Sequence, residues 1–83
     1  MNELNMMIVE LFKFCPQRLR VAQAIISHKF TIDGPGKIKC GNIRIPLQSF
    51  GNALNIDRRT VRATTEDICN NQVLYDFILQ HKE

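Results

Sequence analysis

Apolar residues recur at helical spacing through the first dozen positions. Leu4, Met7, Ile8, Leu11 and Phe12 form one stripe, and Glu3, Glu10 and Lys13 lie off it. A helix is expected over about residues 2–14. Pro16 closes that run and suits the first position of a second helix, where a missing N–H costs no hydrogen bond. That helix is expected over about 16–28, with Leu19, Ala22, Ile25 and Ile26 inward and Arg18, Arg20 and Gln23 toward water.

The period then shortens to two. Phe30 and Ile32, Ile38 and Cys40, and Ile43 and Ile45 alternate with polar neighbours, as half-buried strands do. Strands are expected at about 30–33, 37–40 and 43–45. Asp33-Gly34-Pro35-Gly36 is a turn sequence, and Gly41-Asn42 suits a two-residue hairpin with positive φ. The polar face of this short β-meander would carry Lys37, Lys39 and Arg44. Gly34-Pro35-Gly36-Lys37 lacks the spacing and the following Ser or Thr of a phosphate-binding loop, and a strand rather than a helix comes next. A tight turn is the expected role.

Helical spacing returns at residue 46. Two helices, about 46–54 and 58–70, are expected around a three-residue break, and a last one at about 73–81. The resulting fold class is α+β, mainly α: one domain over 1–83, of helix-turn-helix, winged-helix-like type, with the meander inserted before the helix-turn-helix.

The two helices around the break carry the functional signal. Phe50 and Leu54 give the first an apolar side. Gly51 lies on that same side, where a small residue would let the second helix cross closely; in an isolated helix it would cost up to about 1 kcal/mol. Asn55 suits a left-handed backbone at the turn, and Asp57 reads as the N-cap of the second helix. Ile56 and Val61 are spaced as a hydrophobic staple. Val61 and Ile68 continue the buried stripe, with Thr64 and Thr65 between them. The exposed start of the helix is Arg58, Arg59, Arg62 and Ala63, with Thr60 nearby. Three arginines at a helix N-terminus oppose the macrodipole, and acids arrive only at Glu66 and Asp67. Phosphates and guanine edges would give those arginines a purpose.

Charge changes the picture by its distribution. The net is only +3, but Lys13–Arg62 carries ten basic residues against Asp33 and Asp57, while both ends are acidic. A basic middle fits a face that meets a polyanion. No apolar run is long enough for a membrane span, and the start does not read as a signal peptide, so the cytoplasm is the expected location. Cys15, Cys40 and Cys69 are odd in number and widely spaced. Buried or half-buried reduced thiols are expected, with neither a disulfide framework nor a metal site, and no cofactor.

Pro46–Thr65 resembles the helix-turn-helix of transcriptional regulators, over about a quarter of the chain. More narrowly, Cys40-Gly-Asn-Ile-Arg-Ile-Pro46 followed by Ala53-Leu-Asn-Ile-Asp-Arg-Arg-Thr-Val-Arg62 is similar to the N-terminal domain of archaeal predicted regulators of amino-acid metabolism. That resemblance implies a DNA-binding module of a transcription regulator, with ligand sensing in a C-terminal ACT domain. The chain would then be a fragment of a longer parent or a stand-alone relative. Asn55 stands where glycine is commonest, and Thr64 where an aliphatic residue is usual.

The expected partner is duplex DNA, with Arg58, Arg59, Thr60, Arg62, Ala63, Lys37, Lys39 and Arg44 as contacts. In the last helix, Leu74, Phe77 and Ile78 can pack inward while Val73, Tyr75 and Leu79 project elsewhere, which suits a homodimer or an adjoining domain. A protein-interaction module on the same scaffold is the alternative, favoured if the arginines are tied up by Asp33 or Glu66. RNA binding would call for exposed aromatics on the sheet, where only Phe30 is available. No residue set suggests an enzyme.

Overall fold

Isoleucines set the sheet. The computed structural model describes residues 3–80, with side chains from residue 5 onward. Strands β1 (Thr31–Gly34), β2 (Lys37–Cys40) and β3 (Ile43–Ile45) form an antiparallel sheet in the order β1-β2-β3. Ile32 pairs with Ile38, and Ile38 with Ile45, which makes a cross-strand row on the face turned to the core. On the other face Thr31, Lys39 and Arg44 form the parallel row. Pro35-Gly36, with φ +76° at Gly36, fits a type II turn, and a bulge at Asp33 adjoins it. Gly41, at φ +64°, opens the two-residue turn to β3.

The helices follow the expected order: α1 (Glu3–Leu11) and α2 (Pro16–Ser27) before the sheet, then α3 (Leu47–Leu54), α4 (Arg58–Cys69) and α5 (Gln72–Gln80) after it. One continuous core joins them all. Ile8 and Phe12, Val21 and Ile25, Ile32 and Ile38, Phe50, Val61 and Ile68, and Leu74 and Ile78 are buried in a single cluster. Among the described residues no helix is long and apolar enough to cross a membrane.

Several expectations need correction. α1 ends at Leu11, because the chain turns through Phe12–Phe14 before Pro16, with the Cys15 N–H donating to the Phe12 carbonyl. Leu11 and Phe14 are consequently exposed. Ile43 and its partner Cys40 overhang the end of the sheet and are exposed as well. Of the thiols, Cys15 and Cys40 are exposed and only Cys69 is half-buried. Arg18 and Arg20 do not simply face water: Arg18 pairs with Asp67 at 2.7 Å, and Arg20 donates to the Leu54 carbonyl at 3.0 Å. α5 starts one residue early, capped by Asn71, whose Oδ1 accepts the Leu74 N–H. Residue 2 of the first expected helix and residue 81 of the last lie outside the described residues.

The α3–α4 corner shows why Gly51 is there. The Ile56 N–H donates to the Gly51 carbonyl at 2.8 Å, and the Ile56 carbonyl itself lies over Gly51 so closely that a β-carbon would collide with it. The glycine admits the connecting backbone more than the body of the second helix. Asn55 adopts φ +59°, ψ +45°, a left-handed conformation that asparagine tolerates. Helix propensity alone makes Gly51→Ala a gain of up to about 1 kcal/mol. The corner makes it a loss of about 1–3 kcal/mol. The sign of the change in chemical denaturation checks this.

Candidate nucleic-acid interface

Asp57 starts α4 as an N-cap in extended conformation, its carboxylate accepting the Arg59 N–H at 2.7 Å. The same carboxylate meets the Arg59 guanidinium at 3.4 Å. That backbone hydrogen bond, and then the side-chain one, hold the Asp57 carboxyl below its ordinary value of 3.8. With the start fixed, the 3.6-residue period puts Arg58, Arg59, Arg62, Ala63 and Glu66 on one arc, and Val61, Thr64, Thr65 and Ile68 on the buried one.

Arg58, Arg59 and Arg62 are exposed, and Ala63 is half-buried among them. They are not equally free. Arg59 pairs with Asp57, and Arg62 pairs with Glu66 through Nε and Oε2 at 3.3 Å. Arg58 has no ion pair among the described residues. Part of the charge arrangement that opposes the helix dipole is therefore compensated locally, with Arg58 acting on Asp57 only at longer range.

Two open grooves meet at these arginines. One, about 800 Å³, is lined by Gln48, Asn52, Asn55, Asp57, Arg58 and Arg59 together with the backbone of the corner. The other, about 440 Å³, runs from Pro46 and Leu47 past Gln48 to Arg58, Arg59 and Arg62. The polar wall contributed by α3 was missed in the sequence. Gln48 and Asn52, hydrogen-bonded at 3.1 Å one helical turn apart, carried the only signal of it.

The remaining sequence-derived residues divide. Thr60 lies on the opposite flank of α4, in a crevice with Cys15, Pro16, Gln17 and Arg18. Lys37 is exposed and follows the turn whose Gly36 abuts Arg62, with its own Cδ beside Gly34. Lys39 and Arg44 are paired in register on the outer face of the sheet. Arg44 is exposed, while Lys39 is only one-third exposed and pairs with Asp33 at 3.5 Å. The turn reaches α4 through the Gly36 N–H, which donates to Thr65 Oγ1 at 2.7 Å; that hydroxyl in turn donates to the Arg62 carbonyl at 2.6 Å. Thr64, also buried, donates to the Thr60 carbonyl at 2.8 Å. Among the described residues no three of His, Cys, Asp and Glu gather as a metal-ligand group. Compared with protein-family models, curated proteins and solved structures, the chain matches none of them.

The lowered Asp57 carboxyl makes a pH prediction. A group depressed in the fold contributes stability that is complete above its unfolded value, near 3.8, and is lost as pH falls through the folded value. Asp57→Ala should lower the melting temperature by roughly 5 °C near neutral pH. The gap to the parent should close on acidification below 3.8, read from melts across that range.

Proposed function

We propose that α3, the connection through Asp57 and α4 act as a helix-turn-helix, and that the chain is the duplex-DNA-binding module of a transcriptional regulator with α4 as the reading helix. The observation that carries this reading is the single arc of Arg58, Arg59 and Arg62 at the start of α4, with a polar groove lined by α3 at Arg58 and Arg59 and a second, more apolar one reaching Arg62. Reading helices present their N-terminal half to base edges, while phosphates are held by nearby cations and amides. Lys37, on the adjoining turn, is suited to backbone contact. The two sites where the sequence departs from the resembled pattern are accommodated: Asn55 takes the left-handed conformation, and the Thr64 hydroxyl is satisfied within its helix. Within this reading, the resemblance to regulators of amino-acid metabolism supports a regulator of that kind, with effector sensing in another domain.

The ion pairs of Arg59 with Asp57 and of Arg62 with Glu66 favour a second reading, a protein-interaction module on the same scaffold. Exposed pairs of this kind contribute little energy, so they do not outweigh the arc.

A titration against random duplex at several salt concentrations separates the two. With roughly four to six phosphate contacts, log K should fall against log salt with a slope of about −4 to −5. No duplex binding at low salt would transfer the assignment to the interaction module. On a selected site, Arg62→Ala should cost about 1–3 kcal/mol and less on scrambled duplex. Lys37→Ala should weaken both duplexes alike and reduce the salt slope by about one. Equal binding of both duplexes by Arg62→Ala and the parent would mean that Arg62 reads nothing.

A further inference from the structure

Arg62 is held from two sides. The Glu66 carboxylate sits 3.3 Å from its Nε, one helical turn along the exposed face. On the other side lies Gly36, where a β-carbon would stand 2.7 Å from Nη1 and 3.4 Å from Cζ. The turn bearing Gly36 is itself fastened to α4 by Thr65, whose hydroxyl links the Gly36 N–H to the carbonyl of Arg62. The guanidinium thus lies between a carboxylate on its own helix and a backbone flank anchored to that helix.

Helix stability does not account for this pair. At i,i+4 the favourable order is acid first and base second, and here the base comes first. Both side chains are also about half exposed, where an ion pair adds little. The arrangement suits a different task. Bidentate recognition of guanine O6 and N7 needs a planar fork in a fixed direction. The carboxylate beside Nε and the Gly36 flank beside Nη1 together restrict the plane of that fork.

We propose that Glu66 is a positioning residue which, with the Gly36 turn, presets Arg62 to read guanine, so that it determines sequence preference without touching the base itself. The proposal rests on the duplex-binding reading of α4. It also predicts a conflict that can be measured. The Glu66 charge repels every phosphate backbone, yet its grip on Arg62 favours only the sequences that Arg62 reads.

The test compares Glu66→Ala and Glu66→Gln with the parent on a selected guanine-containing site and on a scrambled duplex. Glu66→Ala should weaken the selected site by about five- to tenfold, part of the discrimination one bidentate contact supplies, while scrambled duplex binds equally or more tightly. Glu66→Gln keeps a side-chain oxygen of the same reach beside Nε without the charge. It should retain the parent's preference to within about twofold while binding both duplexes more tightly. Glu66→Ala strengthening both duplexes alike would reduce Glu66 to bulk repulsion. Weakening both alike, with a lowered melting temperature, would make its role structural. Either result overturns the proposal while leaving duplex binding in place, whereas a parent that binds no duplex overturns the DNA reading and this proposal together.

Discussion

The carbonyl of Ile56 rests against the bare α-carbon of Gly51, and the orientation of α4 follows from that contact. Once the carbonyl is seated there, the Ile56 N–H closes back onto the Gly51 carbonyl and Asn55 must turn left-handed. Ile56 is then carried into the core and Asp57 into capping position. Arg20 completes the corner from α2 by donating to the Leu54 carbonyl, one of the terminal acceptors of α3 that have no partner within the helix. The angle between α3 and α4 is thus set largely by backbone. The outer side chains of α4 are left outside the core, with Arg62 lying against the Gly36 turn.

The sheet is fastened to α4 twice, by two different kinds of force. Ile32 and Ile38 enter the common core and supply non-directional burial. Thr65 supplies direction: its buried hydroxyl both accepts and donates, so the Gly36 turn can sit at only one height along the helix. An aliphatic residue at position 65 would fill the space but leave the turn's N–H without that acceptor. The two buried threonines of α4 therefore differ in kind, since the Thr64 hydroxyl is spent on its own helix and only Thr65 bonds to the sheet.

What could be read from the sequence was whatever depends on local chemistry. The periodicity of 3.6 and 2 located five helices and three strands, because burial of one face imposes those periods directly. Asp57 and Asn55 were legible as cap and left-handed residue, because both roles are fixed by the backbone within a few positions. The misses are contacts between distant segments. Nothing local marks Arg18 as the partner of Asp67, forty-nine positions away, or Gly36 as the neighbour of Thr65. The overhang that exposes Cys40 and Ile43 was hidden for the same reason: alternation shows which face a residue is on, but not where the core beneath that face ends. In the candidate site, the arginine arc followed from α4 alone. The groove wall of Gln48 and Asn52 needed the corner angle as well.

Charge organisation joins the fold to its proposed task. A strongly basic helix start would attract any polyanion, and indiscriminate affinity works against selectivity, because competing sites vastly outnumber the intended one. In this protein Asp57 and Glu66 each take up part of an arginine's charge, and neither is a pure surface ornament: Asp57 is the helix cap, and Glu66 flanks Arg62 opposite the sheet turn. Under the duplex-binding proposal, the acids that moderate general attraction are also the groups that orient the arginines. Arg58 has no ion pair among the described residues, and on that proposal it is the one left to draw in a phosphate backbone. Under the duplex-binding proposal, encounter and discrimination fall to different arginines of one helical arc. This division is possible because the i,i+4 spacing places Glu66 beside Arg62, and not beside Arg58.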